Sequence, residues 1–457
     1  MTSMNPGKLV TLLLVAATMI FISPRSACAA ERPNILFILV DDIGLDWLSC
    51  YGVENPTPNI DRLAREGVRF ETAWATPLCT STRVEFLTGQ YPFRSGWKVH
   101  HDVPDRGGLG LDPDRVTTIA RVLRDSGYAT ALCGKWQIND LRTDPGILAK
   151  HGFQEHCLWP DGESENPASK SRYWDALLQT NGKRRTHTGK FGPDVVHDYA
   201  KDFVARNQSK PFFLYYPMVC CHSPIDATPA QRAAGMRTGK GGKQVLSGMM
   251  TYVDHQVGDL MDHLDLLGIA DNTMFVFAGD NGSARPGLLN GRSLTTGKKS
   301  KGHTFNISVH VPLIFKAPYL IGKPSVSEAL TDFTDLFPTF ADTAGAELPT
   351  GAKLEGRSLV PILSGSSDGS RAWIYSQLGK LRIIRDQRYK LDSNGALFDL
   401  QADSLEKNDL RSSSQPEHVE ARDRLAKALG TIPDDGPPPF EGYRGAGKKK
   451  SKKKNKP

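Results

Sequence analysis

Residues 34–42 read Asn-Ile-Leu-Phe-Ile-Leu-Val-Asp-Asp, an apolar run of strand length that ends in two carboxylates. A run without polar alternation is typical of a strand that is buried on both faces, as in a parallel sheet covered by helices. Similar runs recur at 129–133, 212–216, 274–278 and 311–315. Helical patterns lie between them, at 59–66, 116–125, 195–207 and 246–267. Strands that alternate with helices predict an α/β fold in which helices sandwich a large sheet.

The pattern of the chain changes after about residue 363. Short alternating strands are predicted at 373–375, 381–384 and 389–391, and Ser393-Asn394-Gly395 predicts a turn before Leu397-Phe398. A helix is predicted around 417–429. We therefore expect a main domain over 31–362 and a C-terminal subdomain over 363–432, built from a small antiparallel sheet plus a helix. Residues 433–457 are predicted to be a disordered tail rich in lysine.

The positive charge of the chain is concentrated at its ends. The formal net charge is +7, but residues 448–457 hold seven lysines, and residues 1–30 add Lys8 and Arg25 with no acid. Subtracting both segments leaves 7 − 7 − 2 = −2 for the body. The basic pI therefore describes a tail, and no nucleic-acid partner is predicted.

Residues 1–30 are predicted to be a cleaved secretory signal peptide. Lys8 precedes the apolar stretch 9–22, which is too short for a comfortable membrane span, and Ala27-Cys28-Ala29 offers a small-residue cleavage site. Anchoring through Cys28 is the alternative, although Arg25 stands where a lipoprotein signal has an apolar residue. No other stretch can span a bilayer, so a secreted or periplasmic location is expected. Export permits disulfides, but the spacing of the six remaining cysteines leaves the pairing open.

Polar side chains follow four of the predicted strands. Ligands of open α/β sheets gather outside the carboxyl ends of the strands. The residues at these ends are Asp41 and Asp42, Lys135, His222, and Asp280 with Asn281. Three acids and an amide form a hard-oxygen site that suits calcium or magnesium rather than zinc. A lysine and a histidine beside that site suit an anionic substrate. Each acid alone is equally typical of a turn or a helix cap, and only their joint placement favours a metal site.

Several segments resemble one enzyme family. Pro77-Leu78-Cys79-Thr80-Ser81-Thr82-Arg83, followed by Leu87-Thr88-Gly89-Gln90-Tyr91-Pro92, is similar to the type I sulfatase signature. Further matches in the family's order are Asp41-Asp42, 127–136, Asp280-Asn281-Gly282, Lys301-Gly302 and 397–410. The resemblance covers nearly the whole chain after the signal. It implies an alkaline phosphatase-like fold, with a large mixed and mostly parallel sheet in the main domain. It also implies that the protein hydrolyses sulfate esters, most often those of sulfated carbohydrates.

The resemblance also implies roles for individual residues. A formylglycine-generating enzyme would oxidise Cys79 to formylglycine (3-oxoalanine) during export, and the hydrated aldehyde would be the nucleophile. That residue would bind Ca²⁺, with Mg²⁺ the less favoured ion, together with Asp41, Asp42, Asp280 and Asn281. Arg83 would hold the formylglycine hydroxyl, whereas Lys135 and Lys301 would bind sulfate oxygens. His222 would act as an acid near the leaving-group oxygen.

Three departures from the family pattern affect this interpretation. The motif position usually held by proline or alanine is Ser81, which bears on recognition by the modifying enzyme. Gln137 stands where the family has histidine, and an amide cannot take up a proton at neutral pH. Gln137 is therefore expected to line the substrate pocket, while His100, His101 or His303 are candidate substitute bases. The stretch after Lys301 also differs, with Phe305-Asn306-Ile307-Ser308 in place of an acidic, glycine-rich segment.

Two other functions remain open on the sequence alone. One is a phosphodiesterase or phosphonate hydrolase that uses the same metal and nucleophile, although a single metal with two lysines favours sulfate. The other is a non-catalytic protein that binds sulfated glycans. Ser81 and Gln137 favour this alternative, whereas the retained acids, arginine and lysines argue against it.

Overall fold

The computed structural model describes residues 32–99, 110–160, 172–236, 242–285, 287–289, 292–293, 301–369 and 371–433. The predicted signal peptide, the predicted tail after Pro433, and His100 and His101 lie outside the described residues.

The main architectural element is a ten-stranded mixed sheet. Its strands are β1 (Asn34–Val40), β2 (Val68–Trp74), β3 (Ala129–Lys135), β4 (Glu155–Trp159), β5 (Leu177–Thr180), β6 (Lys183–Thr186), β7 (Phe212–Pro217), β8 (Thr273–Gly279), β11 (Leu313–Lys316) and β12 (Ser325–Asp332). The strands β9 (Leu288–Leu289) and β10 (Arg292–Ser293) form a separate two-stranded ribbon. The order in the sheet is β12-β2-β11-β8-β1-β7-β3-β4-β5-β6. The pairs from β8 through β1, β7 and β3 to β4 are all parallel, whereas β11 and β5 run antiparallel to their neighbours.

The first strand shows why the apolar runs are continuous. Ile35, Phe37 and Leu39 belong to the core on one face of the sheet, and Leu36, Ile38 and Val40 belong to the core on the other. A strand that is buried on both faces cannot alternate apolar with polar residues. The α/β fold with a large, mostly parallel sheet is therefore confirmed.

Helices cover both faces of the sheet. Their bounds in chain order are α1 (Pro58–Arg65), α2 (Cys79–Thr88), α3 (Pro92–Ser95), α4 (Ile119–Asp125), α5 (Ile147–Lys150), α6 (Gly192–Arg206), α7 (Pro229–Ala233), α8 (Gly242–Leu266), α9 (Asn306–Val309), α10 (Leu336–Thr343) and α11 (Val360–Leu363). Apolar residues of α2, α4 and α10 pack into one core, and those of α1, α6 and α8 into the other. Single 3₁₀ turns lie at Leu45–Trp47, Ser49–Tyr51, Ala270–Asn272 and Phe333–Asp335. None of the helices in the described part of the chain is long and apolar enough to cross a membrane.

A second, antiparallel sheet follows the large one. It has the order β13 (Ile374–Leu378), β14 (Leu381–Arg385), β15 (Tyr389–Asp392), β16 (Leu397–Asp399), and helix α12 (Pro416–Gly430) packs against it. The predicted turn is confirmed, since Gly395 has φ +84° between β15 and β16. This matches the predicted small sheet plus helix, while the boundary between the two domains stays a prediction.

Candidate active site

The carboxyl ends of four adjacent strands meet at one place, as the sequence predicted. Asp41 and Asp42 follow β1, Asp280 and Asn281 follow β8, and Lys135 is the last residue of β3. Gly134 has φ +128°, and a Cβ there would lie 1.9 Å from the carbonyl oxygen of Pro217 on β7. Only glycine fits that close approach, which holds the end of β3 against β7.

Helix α2 brings the motif residues to these strand ends. Cys79 is its first residue, and every residue of the helix is buried. The Arg83 guanidinium donates to the carboxylates of Asp41 at 3.2 Å and Asp280 at 2.8 Å, and to the carbonyl oxygen of Lys135 at 3.2 Å. Arg83 therefore joins three of the strand ends and fixes two of the predicted metal ligands.

The predicted metal ligands form one cluster of oxygens. Carboxylate oxygens of Asp41, Asp42 and Asp280 lie within 4.8 Å of one another, and all three residues are buried. The Asn281 amide nitrogen donates to Asp42 Oδ1 at 3.0 Å, which leaves its oxygen free. Asp41 Oδ1 and Asn281 Oδ1 are both buried without a hydrogen-bond partner among the described residues. Buried oxygens without a donor fit a hard divalent cation, which would satisfy them.

The charges of the cluster point the same way. Burial and the nearby charge of Asp41 raise the pKa of Asp42 to about 6, and the same two causes raise the pKa of Asp280 well above its ordinary value. Burial alone would also raise the pKa of Asp41, but its electrostatic interactions, first with Lys135 and then with His222, Arg83 and Lys301, outweigh burial and lower that pKa. Three buried carboxylates thus repel one another, and a bound cation would relieve the repulsion.

Positive and polar groups surround Cys79. Lys135 Nζ lies 3.4 Å from Cys79 Sγ and is also paired with Asp41, and Gln137 Oε1 lies 3.7 Å from the same sulfur. Lys301 Nζ pairs with Asp42 at 2.5 Å. Burial alone would lower the pKa of Lys301, but its electrostatic interactions with Cys79, Asp42 and Asp41 outweigh burial and raise that pKa, so this lysine stays charged. The structure thus brings Lys135, Lys301 and Gln137 near Cys79, whose role as nucleophile stays a prediction.

His222 belongs to the same site, and its main partner could not be predicted. Nitrogens of His222, Cys79 Sγ and an oxygen of Asp41 can all lie within 4.8 Å of one another. Arg172 Nη1 lies 2.8 Å from His222 Nδ1, and the carbonyl oxygen of Ser223 lies 2.6 Å from the same nitrogen. The guanidinium can only donate and the carbonyl oxygen can only accept, so each contact fits a different protonation state of Nδ1. Burial, followed by the charge of Lys135, lowers the pKa of His222 to about 2, so the ring is neutral in the free protein.

Other candidate residues are placed elsewhere. His303 is exposed, with its ring 5.9 Å from that of Phe305. Trp97 and Trp159 are buried, and Arg172 lies 4.2 Å over the Trp159 ring. Among the described histidines, only His222 shares a ligand cluster with Cys79.

Comparison with known proteins identifies the family of this chain. The sulfatase family model matches residues 33–346, and a model described as the C-terminal part of N-sulphoglucosamine sulphohydrolase matches residues 297–432. The chain is 30% identical to steryl-sulfatase of Mus musculus over 79% of this chain and 70% of that protein. It is 27% identical to N-acetylgalactosamine-6-O-sulfatase of Bacteroides thetaiotaomicron over 88% and 94% of the two chains. The solved structure of Ps i-CgsB in complex with k-i-k-neocarrahexaose aligns with a TM-score of 0.75 and 26% identity, over 90% of this chain and 95% of that one.

The chain therefore belongs to the sulfatase family, within the alkaline phosphatase-like superfamily. It is a sulfuric ester hydrolase. The side chains at the strand ends suit sulfate-ester hydrolysis. The carboxylates of Asp41, Asp42 and Asp280 lie beside the cations Arg83, Lys135 and Lys301, and Cys79 is a possible nucleophile next to them.

Proposed function

We propose that this sulfatase removes sulfate from a sulfated carbohydrate, with Cys79 as the precursor of its nucleophile. The observation that carries the proposal is the convergence of Cys79, Arg83, Lys135 and His222 on the buried acids at the ends of β1 and β8. The carbohydrate class is supported by the names of two similar proteins, one an N-acetylgalactosamine-6-O-sulfatase and the other solved with a neocarrahexaose.

The proposed metal is Ca²⁺, with Mg²⁺ less favoured. Asp41, Asp42, Asp280 and Asn281 would hold it together with the modified Cys79, and the free oxygens of Asp41 and Asn281 support this set. All four side chains offer oxygen, which hard cations prefer. When bound, the ion would offset negative charge on the reacting sulfate group.

The proposed nucleophile is the hydrate of 3-oxoalanine, formed from Cys79 by a formylglycine-generating enzyme during export. One hydroxyl of the hydrate would supply the attacking oxygen, and the second would let the aldehyde re-form as sulfate leaves, a route that an ordinary alcohol lacks. Export itself is proposed from residues 1–30 and leads to a secreted or periplasmic location. The place of Cys79 at the start of a buried helix, 3.4 Å from Lys135 Nζ, supports its role.

The chain's own side chains would do the remaining work. Lys135 and Lys301 would bind sulfate oxygens and neutralise the charge that approaches the nucleophile. His222 would act as the acid near the leaving-group oxygen, with Arg172 in contact with its Nδ1. Arg83 would fix Asp41 and Asp280 and hold the new hydroxyl, while Gln137 would line the pocket beside it.

The test is a screen for sulfate release. Purified protein, from a host that makes the modifying enzyme, would be assayed on sulfated saccharides, phosphonate esters and phosphodiesters, with calcium or with a chelator. We expect calcium-dependent release of sulfate and a Cys79 peptide whose mass is that of the aldehyde. Faster cleavage of the phosphorus esters, or binding of sulfated saccharides without turnover, would overturn the proposal in favour of one of the two alternatives.

A further inference from the structure

A pocket of about 280 Å³ lies at the edge of the large sheet, between β6 and the start of α6. Arg185, His187 and Lys190 line it, with Thr188 and Asp198. We call this set the outer basic pocket. The hairpin segment 183–190 reads Lys-Arg-Arg-Thr-His-Thr-Gly-Lys and contains no acid. The pocket is therefore large enough for a sugar unit and is bordered by a positively charged segment.

The cations of the outer basic pocket are not neutralised within the protein. No ion pair or side-chain hydrogen bond to Arg185 or Lys190 is formed by the described residues, and both side chains are exposed. Burial, together with the charges of Arg185 and Lys190, lowers the pKa of His187, which places both cations close to its ring. Two acids lie nearby, since Asp198 lines the pocket and Asp175 accepts from the backbone N–H of Gly189. Because neither Arg185 nor Lys190 is ion-paired among the described residues, both cations remain available to an anion.

Strand register places the outer basic pocket level with the active site. Lys135 on β3 pairs with Trp159 on β4. The antiparallel pairing of β4 with β5, extended by one residue, puts Leu178 opposite Trp159, and Leu178 pairs with Arg185 on β6. Arg185 is thus three strands from Lys135 at the same end of the sheet, a separation of about 14 Å between backbones.

Contacts of the proposed acid, His222, lead toward the same part of the sheet. His222 contacts Arg172, which covers Trp159 on β4, and β4 is two strands from β6. The separation of about 14 Å between the backbones of Lys135 and Arg185 is longer than one sugar ring. A ligand that reaches both places must therefore be an oligosaccharide with more than one anionic group.

We propose that the outer basic pocket is a second anion subsite, which binds a sulfate or carboxylate group of the same substrate chain several sugars from the ester that is cleaved. This inference rests on the proposed carbohydrate function and narrows the substrate to polyanionic oligosaccharides. Arg185 and Lys190 contact the anion as charged donors, and His187 as a neutral N–H donor.

The test compares a long and a short substrate. The double variant Arg185→Ala/Lys190→Ala and the control Lys183→Ala are assayed on a sulfated galactan hexasaccharide and on 4-nitrophenyl sulfate. Lys183 is exposed on the same hairpin but pairs with Thr180, at the opposite end of β6. Because hydrogen bonds to charged groups are lost, we expect the double variant to raise KM for the hexasaccharide by about 10- to 100-fold. Its kinetics on 4-nitrophenyl sulfate, and both activities of the control, should be unchanged.

The outcomes separate this inference from the proposed function. If the wild type releases sulfate from the hexasaccharide and the double variant does so with the same KM, the subsite is refuted and the function stands. An equal loss on both substrates also refutes it, since the variants would then act on the whole site. If the wild type cleaves 4-nitrophenyl sulfate but no sulfated saccharide, the carbohydrate function itself fails. Competition by a desulfated, carboxylated oligosaccharide distinguishes carboxylate from sulfate recognition, and equal competition by a single-stranded oligonucleotide would refute substrate-specific binding.

Discussion

Replacing Asp42 by asparagine should stabilise the metal-free protein and weaken its response to calcium. Asp42 has φ +61°, a left-handed conformation that asparagine adopts as readily as aspartate, so the backbone should not change. The amide oxygen can still accept from Lys301 and Asn281, the present partners of Asp42 Oδ1. The substitution therefore removes one charge and little else.

The size of the effect follows from the pKa of Asp42. The difference between about 6 in the folded protein and the ordinary 3.8 corresponds to about 3 kcal/mol. A raised carboxyl pKa means that the folded state binds the proton more tightly. Metal-free stability therefore falls as pH rises from 3.8 to about 6 and stays low above it. With an unfolding entropy of about 2 cal/mol/K per residue over about 400 residues, 3 kcal/mol is about 4 °C in melting temperature.

The assay is thermal unfolding at neutral pH in chelator and in excess calcium. In chelator, Asp42→Asn should melt about 4 °C above the wild type, and calcium should raise the wild type much more than the variant. The gain in chelator should vanish in acid, where Asp42 is protonated. Asp114→Asn, which removes an exposed carboxylate, is the control and should match the wild type throughout. If Asp42→Asn melts below the wild type in chelator, and if calcium raises its melting temperature as much as that of the wild type, the proposed cluster of repelling, cation-binding carboxylates is refuted.

Three further outcomes are expected. Gln137→His should raise kcat by about 10²-fold, because it restores a proton acceptor beside Cys79; steady-state kinetics that show a slower variant would mean that His222 or another group already fills this role. His151 is buried and His310 is half-buried, and burial lowers the pKa of each to about 4, so the unfolded chain binds more protons between pH 6.5 and 4. Stability should therefore fall as the pH is lowered through this range. His151→Gln should flatten the curve of melting temperature against pH, and parallel curves would contradict this. Deleting residues 448–457, which are lysine, serine, asparagine and proline, should leave the melting temperature unchanged, and a drop of several degrees would show that the tail packs on the body.

Sequence patterns predicted the central strands because those strands are buried on both faces. The predicted run 274–278 lies within β8 and the run 212–216 within β7, since continuous apolar residues are distinctive there. Strand β2 was missed because Arg69, Glu71 and Thr72 interrupt its apolar residues. Helix α2 was not predicted as a helix, because it is buried all round and shows no apolar stripe.

The site was predictable only where a residue type marks it. Acids at strand ends and a motif cysteine can be read from sequence, and the structure places them together, although their roles stay predictions. Arg172 gave no such signal, because it lies 50 residues from His222 along the chain and its contact depends on the fold. The level of Arg185 with Lys135 depends on three strand registers, which apolar patterns do not specify.

The most direct test of the whole account is the rate of sulfate release by Cys79→Ala beside the wild type, both made in a host with the modifying enzyme. Cys79 is buried at the start of α2, so removing one sulfur atom should leave the fold intact, which an unchanged melting temperature would verify. The account predicts that the wild type releases sulfate from a sulfated saccharide and that the folded variant releases none above background, because no neighbouring side chain can replace the nucleophile. A folded Cys79→Ala protein that retains the wild-type rate would contradict it.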